Sequence, residues 1–429
     1  MQTRFNQAQL RDPATARSEG AIRACVHCGF CTATCPSYVV LGDELDSPRG
    51  RIYLIRDMLE NARVPTVQTV RHIDRCLSCL ACTTTCPSGV NYRHLIDHAR
   101  AYIEATYRRP LADRALRALL ATVLPRPVLF RAALLAARPA KPFARLLPAR
   151  LRPLLAMAPA RIPAPEDTGR PATHPAIGRR RHRVALLAGC AQSVLAPEIN
   201  AAAIRVLTRA GVEVVVAAKA GCCGALTGHI GKDGRKFAAT NIRAWRALEA
   251  SGTLDAILVT TSGCGSFMKE YGQLCATDAR LAGDAARVAA LSRDITEFLA
   301  EITLPEVSRD FPGRGVRVAY HAACSLTHGQ HITTQPKALL AQAGFVVLEP
   351  NDAHLCCGSA GTYNLLQPEI AGELRARKLA SLTPLAPEVI ASGNIGCLTQ
   401  LAGGTSVPTR HTVQLLDWAT GGPSPLGPR

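Results

Sequence analysis

Two cysteine runs constrain this chain more than any other feature. The first reads Cys25-Val-His-Cys28-Gly-Phe-Cys31-Thr-Ala-Thr-Cys35-Pro36 and the second Cys76-Leu-Ser-Cys79-Leu-Ala-Cys82-Thr-Thr-Thr-Cys86-Pro87. Both are C-x2-C-x2-C-x3-C-P, the thiolate spacing that wraps a cubane 4Fe-4S cluster. Three closely spaced cysteines fold around three corners of a cube, and the fourth lies too far along the run to close the same cube comfortably. In two-cluster ferredoxins it ligates the other cluster. The expected sets are therefore Cys25, Cys28, Cys31 and Cys86 for one cluster, and Cys76, Cys79, Cys82 and Cys35 for the other. The proline after each fourth cysteine stops the local helix or turn and holds that thiolate away from its own run. A pair of zinc sites or a disulfide framework is the competing reading. Zinc sites, however, usually pair two C-x2-C units, without the third and fourth thiolates and the proline. Two such clusters imply one-electron transfer.

The chain has 429 residues, enough for two or three domains, and 48% hydrophobic residues, enough for a substantial core. Aromatic residues make up only 4% of the chain, so leucine and alanine carry much of the apolar volume. The N-terminal residues 1–10 contain no apolar run and no cleavage site, which argues against a secretory signal. Cluster assembly needs reduced thiols, so the expected location is the cytoplasm. No stretch approaches the ~20 apolar residues of a spanning helix. Net charge is +18, and it is concentrated. Between Arg108 and Arg183, 16 Arg and one Lys face only Asp113, Glu166 and Asp167, leaving +14 in that segment. No nucleic-acid recognition motif accompanies the charge, so no nucleic-acid partner is expected.

The expected fold class is α+β and multidomain. Residues 1–107 form an α-helical ferredoxin domain for two 4Fe-4S clusters. Its cysteine runs are 41 positions apart, and the spacer places Ile52, Ile55 and Leu59 at helical spacing within Pro48–Glu60. A second helical stretch, Tyr92–Tyr107, follows. Residues 108–183 form a basic connector rich in Pro, Arg and Leu. Its amphipathic pieces Leu111–Leu124 and Pro127–Ala137 are cut short by Pro125, Pro127, Pro139, Pro142, Pro148 and Pro153, and Gly169–Arg183 reads as a linker. Three roles fit the connector: attachment to an anionic membrane surface, docking to a partner subunit, or a solvated cover between domains.

Residues 184–310 and 311–429 are two copies of one α/β unit. Cys190, Cys222, Cys223 and Cys264 recur as Cys324, Cys356, Cys357 and Cys397, at offsets of 134, 134, 134 and 133. Each copy alternates short apolar strands with helices. In the first, Val184–Ala188, Val212–Ala217 and Ala256–Thr261 are strands, and Pro197–Ala210 and Lys236–Ala250 are helices. In the second, Val316–Tyr320, Phe345–Leu348 and Val389–Ser392 are strands, and Pro336–Ala343 and Pro368–Leu379 are helices. That alternation predicts parallel sheets with the cysteines at strand C-terminal ends.

Neighbouring thiolates share a metal centre more easily than they form a strained disulfide ring. Gly224 and Gly358 allow positive φ or close backbone approach. A helix opening at each Cys-Cys-Gly turn would favour thiolate. His321 and His354 lie beside the second set as candidate outer partners or as ordinary polar residues, and Cys275, without a counterpart, reads as a structural thiol. Cys190, Cys222, Cys223, Cys264, Cys324, Cys356, Cys357 and Cys397 are the candidate ligands of an additional metal centre.

The runs above resemble the iron–sulfur subunit of glycolate oxidase, also called glycolate dehydrogenase, across nearly the whole chain. The likeness rests on the segment Cys25–Pro36 and on Gly42-Asp-Glu-Leu-Asp46, Pro48-Arg-Gly-Arg-Ile-Tyr-Leu54, Ser262-Gly-Cys-Gly265, Lys269-Glu-Tyr-Gly-Gln273 and His354-Leu-Cys-Cys-Gly-Ser-Ala-Gly-Thr-Tyr363. More distant cousins are the iron–sulfur subunit of anaerobic glycerol-3-phosphate dehydrogenase, the lactate-utilisation proteins and heterodisulfide reductase. The resemblance implies a complex in which FAD-containing subunits oxidise glycolate to glyoxylate. This chain would take the electrons singly and pass them towards a quinone or other membrane acceptor, so that it sits in the cytoplasm or peripherally on the cytoplasmic face of the inner membrane. The chain has no G-x-G-x-x-G fingerprint after a strand and no motif for hydroxy-acid oxidation, so no catalytic residue is assigned and the isolated chain is not expected to turn over glycolate. Heterodisulfide reductase relatives follow the last cysteine with a C-x-x-C partner. Here Cys264 is followed by Gly-Ser-Phe and Cys397 by Leu-Thr-Gln. A cluster, a zinc ion and an empty reactive site are the open alternatives at these turns. The alternatives are a lactate or glycerol-3-phosphate dehydrogenase subunit, a thiol–disulfide enzyme and a zinc-stabilised binding module.

Overall fold

Proline and short polar caps set the helices of the amino-terminal region. In the computed structural model, which describes residues 1–427 apart from Leu147, Ala149 and Ala160, the helix Pro13–Ala24 starts on Pro13 with Asp12 as its cap. The helix Pro48–Glu60 repeats the device with Ser47, whose hydroxyl accepts from the Gly50 N–H at 3.0 Å. Thr66 caps Val67–Asp74, and Asn91 caps Tyr92–Thr106. Their apolar faces meet in one core that includes Ile22, Ile55, Ile73, Leu95, Ile96 and Ile103, all fully buried. The Ile52, Ile55 and Leu59 stripe faces inward, as its spacing requires.

The chain divides into two compact units. The first holds Met1–Ala121, Leu226–Asp233 and His354–Lys378; the second holds Thr122–Ala225, Gly234–Ala353 and Leu379–Arg429. The first extends past the ferredoxin helices for an electrostatic reason. Asp74 accepts from Arg109 at 2.6 and 3.0 Å and from Arg117 at 2.9 Å, which ties the start of the helix Leu111–Val123 to the end of Val67–Asp74. Two arginines of the basic segment are thus buried ion-pair partners rather than solvated charge.

Among the described residues the second unit contains two sheets built from nine strands: β1 (Ala172–His174), β2 (His182–Leu186), β3 (Val212–Val216), β4 (Ala256–Val259), β5 (Ser292–Asp294), β6 (Arg317–Tyr320), β7 (Val346–Leu348), β8 (Val389–Ser392) and β9 (Thr409–His411). The first sheet has the order β1-β3-β2-β4-β5 and the second β7-β6-β8-β9. Removing β1 leaves the same order in both, so the duplication read from cysteine offsets is a duplication of topology. All pairings are parallel except β1 with β3. This corrects the linker reading of Gly169–Arg183. Ala172, Thr173 and His174 pair antiparallel with Val216, Val215 and Val214, and His182 and Arg183 already belong to β2. An edge strand this short, set between Pro171 and Pro175, carries no periodic signal and is held by its neighbour.

One core runs through both repeats, from Val184, Val214 and Leu258 to Val318, Val389 and Trp418. Asp417, almost fully buried, accepts from Arg205 at 2.6 Å and from Arg209, which pins the C-terminal helix Thr412–Ala419 of the second repeat to the helix Glu198–Arg209 of the first. A separate cluster under β2 and β4 contains Trp245, Tyr271 and Cys275, consistent with a packing role for that thiol.

Candidate functional site

The two cysteine runs wind identically. His27 and Gly29 have φ of 56° and 87°, and Ser78 and Leu80 have 52° and 63°. These are the second and fourth positions after the first cysteine of each run. Three of the four are not glycine, so each left-handed residue costs on the order of 1 kcal/mol or more and persists only because its surroundings fix it. The turns bend each C-x2-C-x2-C segment around a concave space. One cavity is lined by Cys25, Cys28, Cys31 and Cys86, with Cys82 also on its wall. The other is lined by Cys35, Cys76, Cys79 and Cys82. Each fourth cysteine leaves its own run because it precedes proline. Cys35 and Cys86 are extended, with ψ of 112° and 114°.

The donor set suits iron. No disulfide joins these cysteines. Burial pushes the Cys82 thiol well above its ordinary range, and Cys79, Cys76, Cys35 and Cys31 add to the rise. Burial also pushes Cys31 up to about 11, reinforced by Cys25 and Cys35. Sulfurs packed this closely ionise together only when a cation shares their charge. The residues therefore fit two cubane clusters. The first cavity reaches solvent through the exposed Cys28 and the half-buried Cys31 and Cys86, whereas Cys35, Cys76, Cys79 and Cys82 are all buried.

In the second unit, Cys190, Cys222, Cys223 and Cys264 come together at the C-terminal ends of β2, β3 and β4. Their sulfurs interact in a row, with the Cys190 and Cys223 thiols both directed at Cys222 as donors and Cys223 also facing Cys264. The bonds from Cys190 and Cys223, with the Gly224 N–H at 3.4 Å, pull the Cys222 thiol far below its ordinary value. The same bonds, with burial, push Cys190 and Cys223 up. A long helix opening at the turn has no part in this, because only the four-residue helix Ala225–Gly228 follows.

Two residues that sequence reasoning did not single out individually clamp the turn. Asn241 donates to the Cys222 carbonyl at 2.9 Å and accepts from the Gly221 N–H at 2.8 Å. The Tyr271 hydroxyl donates to the Cys223 carbonyl at 2.6 Å. Gly224 has φ +95°, and a Cβ there would lie 2.8 Å from the Gly234 carbonyl oxygen.

The second set is divided between the units. Cys356 and Cys357, both buried, fall in the first, and Cys324 and Cys397 in the second. Gly358 has φ +87°, and its N–H donates to Cys356 Sγ at 3.4 Å. Within the second unit, a His321 ring nitrogen lies within 4.8 Å of Cys397 Sγ. His354 is exposed in the first unit.

Residues 21–90 match the 4Fe-4S dicluster domain family, and residues 184–269 and 318–402 match the Cysteine-rich domain family. The chain is 43% identical over 423 residues to the glycolate oxidase iron-sulfur subunit of Escherichia coli (strain K12), across 98% of this chain and 99% of that protein. It belongs to the glycolate oxidase iron–sulfur subunit family. The probable glycolate oxidase iron-sulfur subunit of Bacillus subtilis (strain 168) is 32% identical across 94% of this chain and 93% of its own length. Lactate utilization protein A of Oceanobacillus iheyensis is 25% identical across only 55% of this chain, although that is 96% of the relative. Among solved structures, a hypothetical protein from Helicobacter pylori shares the fold, with a TM-score of 0.56 and 11% identity over 96% of this chain and 73% of that one. A dicluster domain followed by a duplicated cysteine-rich domain is thus the architecture of this glycolate oxidase iron–sulfur subunit family member, and the dicluster domain supports an electron-transfer role.

Proposed function

We propose that this chain is the electron-carrying subunit of a flavin-dependent glycolate dehydrogenase, taking electrons from glycolate oxidation and passing them towards a membrane quinone rather than to oxygen. The observation that carries the proposal is the pair of cavities, each walled by cysteines from both runs. Cys25, Cys28, Cys31 and Cys86 would hold one 4Fe-4S cluster, and Cys35, Cys76, Cys79 and Cys82 the other. When bound, such clusters accept and release one electron at a time. The chain's own residues supply the thiolates, the left-handed turns that aim them, and the burial that excludes water from the second site. Residues 1–107 serve as the cluster domain, 184–310 and 311–429 as the two repeats, and 108–183 as the connector, whose end from Ala172 onward contributes strand residues to the first repeat's sheet. Glycolate oxidation is assigned to FAD-containing partner subunits, consistent with the 43% identity to a glycolate oxidase subunit.

The test is anaerobic purification of the chain with and without its flavin partners. The expected preparation carries about eight irons per chain and a paramagnetic signal after dithionite. Glycolate should reduce a dye only when the flavin subunits are present. A colourless preparation, or glycolate turnover by the chain alone, overturns the reading.

Cys190, Cys222, Cys223 and Cys264 are assigned to a further metal centre on the strength of their linked sulfurs, and Cys324, Cys356, Cys357 and Cys397 are the corresponding candidate ligands by sequence offset alone. Iron or zinc beyond the eight cluster irons would support this, and its absence would favour a redox-active dithiol. Placement on the cytoplasmic face of the inner membrane draws on the connector. Val128, Leu129, Leu135, Phe143 and Leu146 are exposed there beside Arg126, Arg138, Arg145, Arg150 and Arg152, and no acidic residue occurs between Asp113 and Glu166. Apolar and cationic groups together suit an anionic lipid surface. Among the described residues no helix is long and apolar enough to cross a membrane. Salt-sensitive sedimentation with phosphatidylglycerol vesicles is expected, and equal binding to neutral vesicles would reject it.

A further inference from the structure

Arg51 is fully buried, with no exposed surface, against the wall of the second cavity. Each of its donors has a partner within the first unit. Nε donates to the His72 carbonyl at 2.7 Å, Nη2 to Ser37 Oγ at 2.9 Å and to Asp46 Oδ1 at 3.3 Å, and Nη1 points at Cys35 Sγ at 3.9 Å. Asp46 does not neutralise Arg51 alone. The same carboxylate accepts from Arg75 at 2.7 Å and meets His72 Nδ1 at 3.0 Å. Two guanidiniums share one carboxylate, so this group alone carries an excess of one positive charge, and the buried Arg100, bonded to the Cys76 carbonyl and Ser78 Oγ, adds to it beside the second thiolate set.

The first cavity is treated differently. Its nearby guanidinium, Arg49, is paired with Glu44 at half-exposed positions, where water screens both. Reduction adds a negative charge to an already anionic thiolate cluster. Burial of Cys35, Cys76, Cys79 and Cys82 disfavours that charge, and a buried cation favours it. A charge acts more strongly in a low-dielectric interior than at the surface. The guanidinium is permanently charged and is held by a planar fork of hydrogen bonds, so it does not swing away.

We propose that Arg51 sets the reduction potential of the cluster held by Cys35, Cys76, Cys79 and Cys82, raising it against the lowering effect of burial. The proposal rests on the two-cluster reading above. Its role is electrostatic positioning, since it ligates nothing.

The experiment is a redox titration of the full chain followed by paramagnetic resonance, comparing the parent with Arg51→Gln and Asp46→Asn. Arg51→Gln removes the charge. One of the two midpoints is expected to fall by a factor of ten or more in its reduction equilibrium, which is 59 mV for a one-electron couple. The other should move by less than half of that. A loaded Arg51→Gln protein with both midpoints unmoved, or both shifted equally, overturns the proposal. If Arg51→Gln loads only one cluster, Asp46→Asn decides. It removes the shared negative charge and keeps the backbone carbonyl that accepts from Ser37 Oγ at 2.9 Å. The same midpoint must then rise, and a fall or no change overturns the proposal. Failure of the underlying two-cluster reading is distinguishable, because it appears as a parent chain without about eight irons.

Discussion

Gly224→Ala separates two reasons for a glycine at the first Cys-Cys-Gly turn. The residue has φ +95°, and an added Cβ would sit 2.8 Å from the Gly234 carbonyl oxygen and 3.2 Å from the Phe267 ring. Forcing a Cβ into the left-handed region costs about 1–2 kcal/mol. The overlap falls on backbone rather than on the end of a flexible side chain, so overpacking adds about 1–3 kcal/mol. The sum is a loss of ~2–5 kcal/mol. Gly189→Ala is the control. It lies beside Cys190 with φ +76°, and its nearest neighbour would be Gln192 Cβ at 3.9 Å. Only the backbone cost applies there, about 1–2 kcal/mol. Urea unfolding followed by circular dichroism measures both, as displacement of the midpoint at unchanged slope. The Gly224 variant should lose at least about 1 kcal/mol more than the control. Equal losses would show that the packing at Gly234 and Phe267 relaxes freely, and would refute the reasoning.

Cys82→Ser should leave about four irons per chain in place of eight, with one paramagnetic signal surviving; unchanged iron would remove Cys82 from the ligand set. Asp74→Asn leaves Arg109 and Arg117, each 6% exposed, with only the more distant of the two carboxylates they share, Asp113 at 3.3 Å from both. A loss of ~3 kcal/mol in urea unfolding is expected, towards the lower end for a broken buried pair, and a change below half of that would mean the two guanidiniums find water. Asp294 is 1% exposed, its Oδ2 lacks a hydrogen-bond partner among the described residues, and burial raises its carboxyl to about 6. The native state therefore holds a proton that the unfolded chain has released, so stability falls as pH rises from about 4 to about 6 and is flat above. Asp294→Asn retains the helix cap and should flatten that slope in unfolding measured across the window; an unchanged slope would place the titration elsewhere.

The chain discloses its strands where they are buried and β-branched. Val212–Val216 and Val389–Ser392 are nearly continuous apolar runs, and a parallel sheet covered on both faces demands that pattern. It conceals β5 and β9. Ser292-Arg-Asp and Thr409-Arg-His are short and polar, and they become strands only by pairing with β4 and β8. The cysteines of the site are legible because ligand chemistry fixes both residue type and spacing. Their supports are not. Asn241 and Tyr271 reach the Cys-Cys-Gly turn from helices 19 and 48 residues downstream of the carbonyls they bind. Arg51 reads as one more charge in Pro48-Arg-Gly-Arg51 until the fold buries it. A faint signal exists at Gly50, where a Cβ would overlap the Glu44 carbonyl. That glycine lets the turn carrying Asp46 close against the helix carrying Arg51.

The repeats share a motif but hold it by different means, and two tyrosines make the difference measurable. Tyr271 donates to the Cys223 carbonyl, so it braces the first Cys-Cys-Gly turn from within its own repeat. Tyr363 follows the second turn and donates to the Arg75 carbonyl at 3.0 Å, the backbone immediately before Cys76. Burial raises its hydroxyl well above the ordinary range, so it stays a neutral donor at any working pH, with Cys76 and Cys356 both contributing to the rise. Tyr363→Phe removes that bond where the backbone enters the second cluster run. Tyr271→Phe removes a bond of the same kind from the first Cys-Cys-Gly turn. Each loss is worth about 1 kcal/mol of stability, so unfolding alone does not separate them. The cluster spectrum does. Tyr363→Phe should alter the line shape or midpoint of one 4Fe-4S signal, because Cys76 shifts with its backbone, whereas Tyr271→Phe should leave both signals unchanged. If the two variants give the same spectrum, the second turn carries no mechanical tie to the clusters, and the shared membership of His354–Lys378 in the first unit has no consequence for electron transfer.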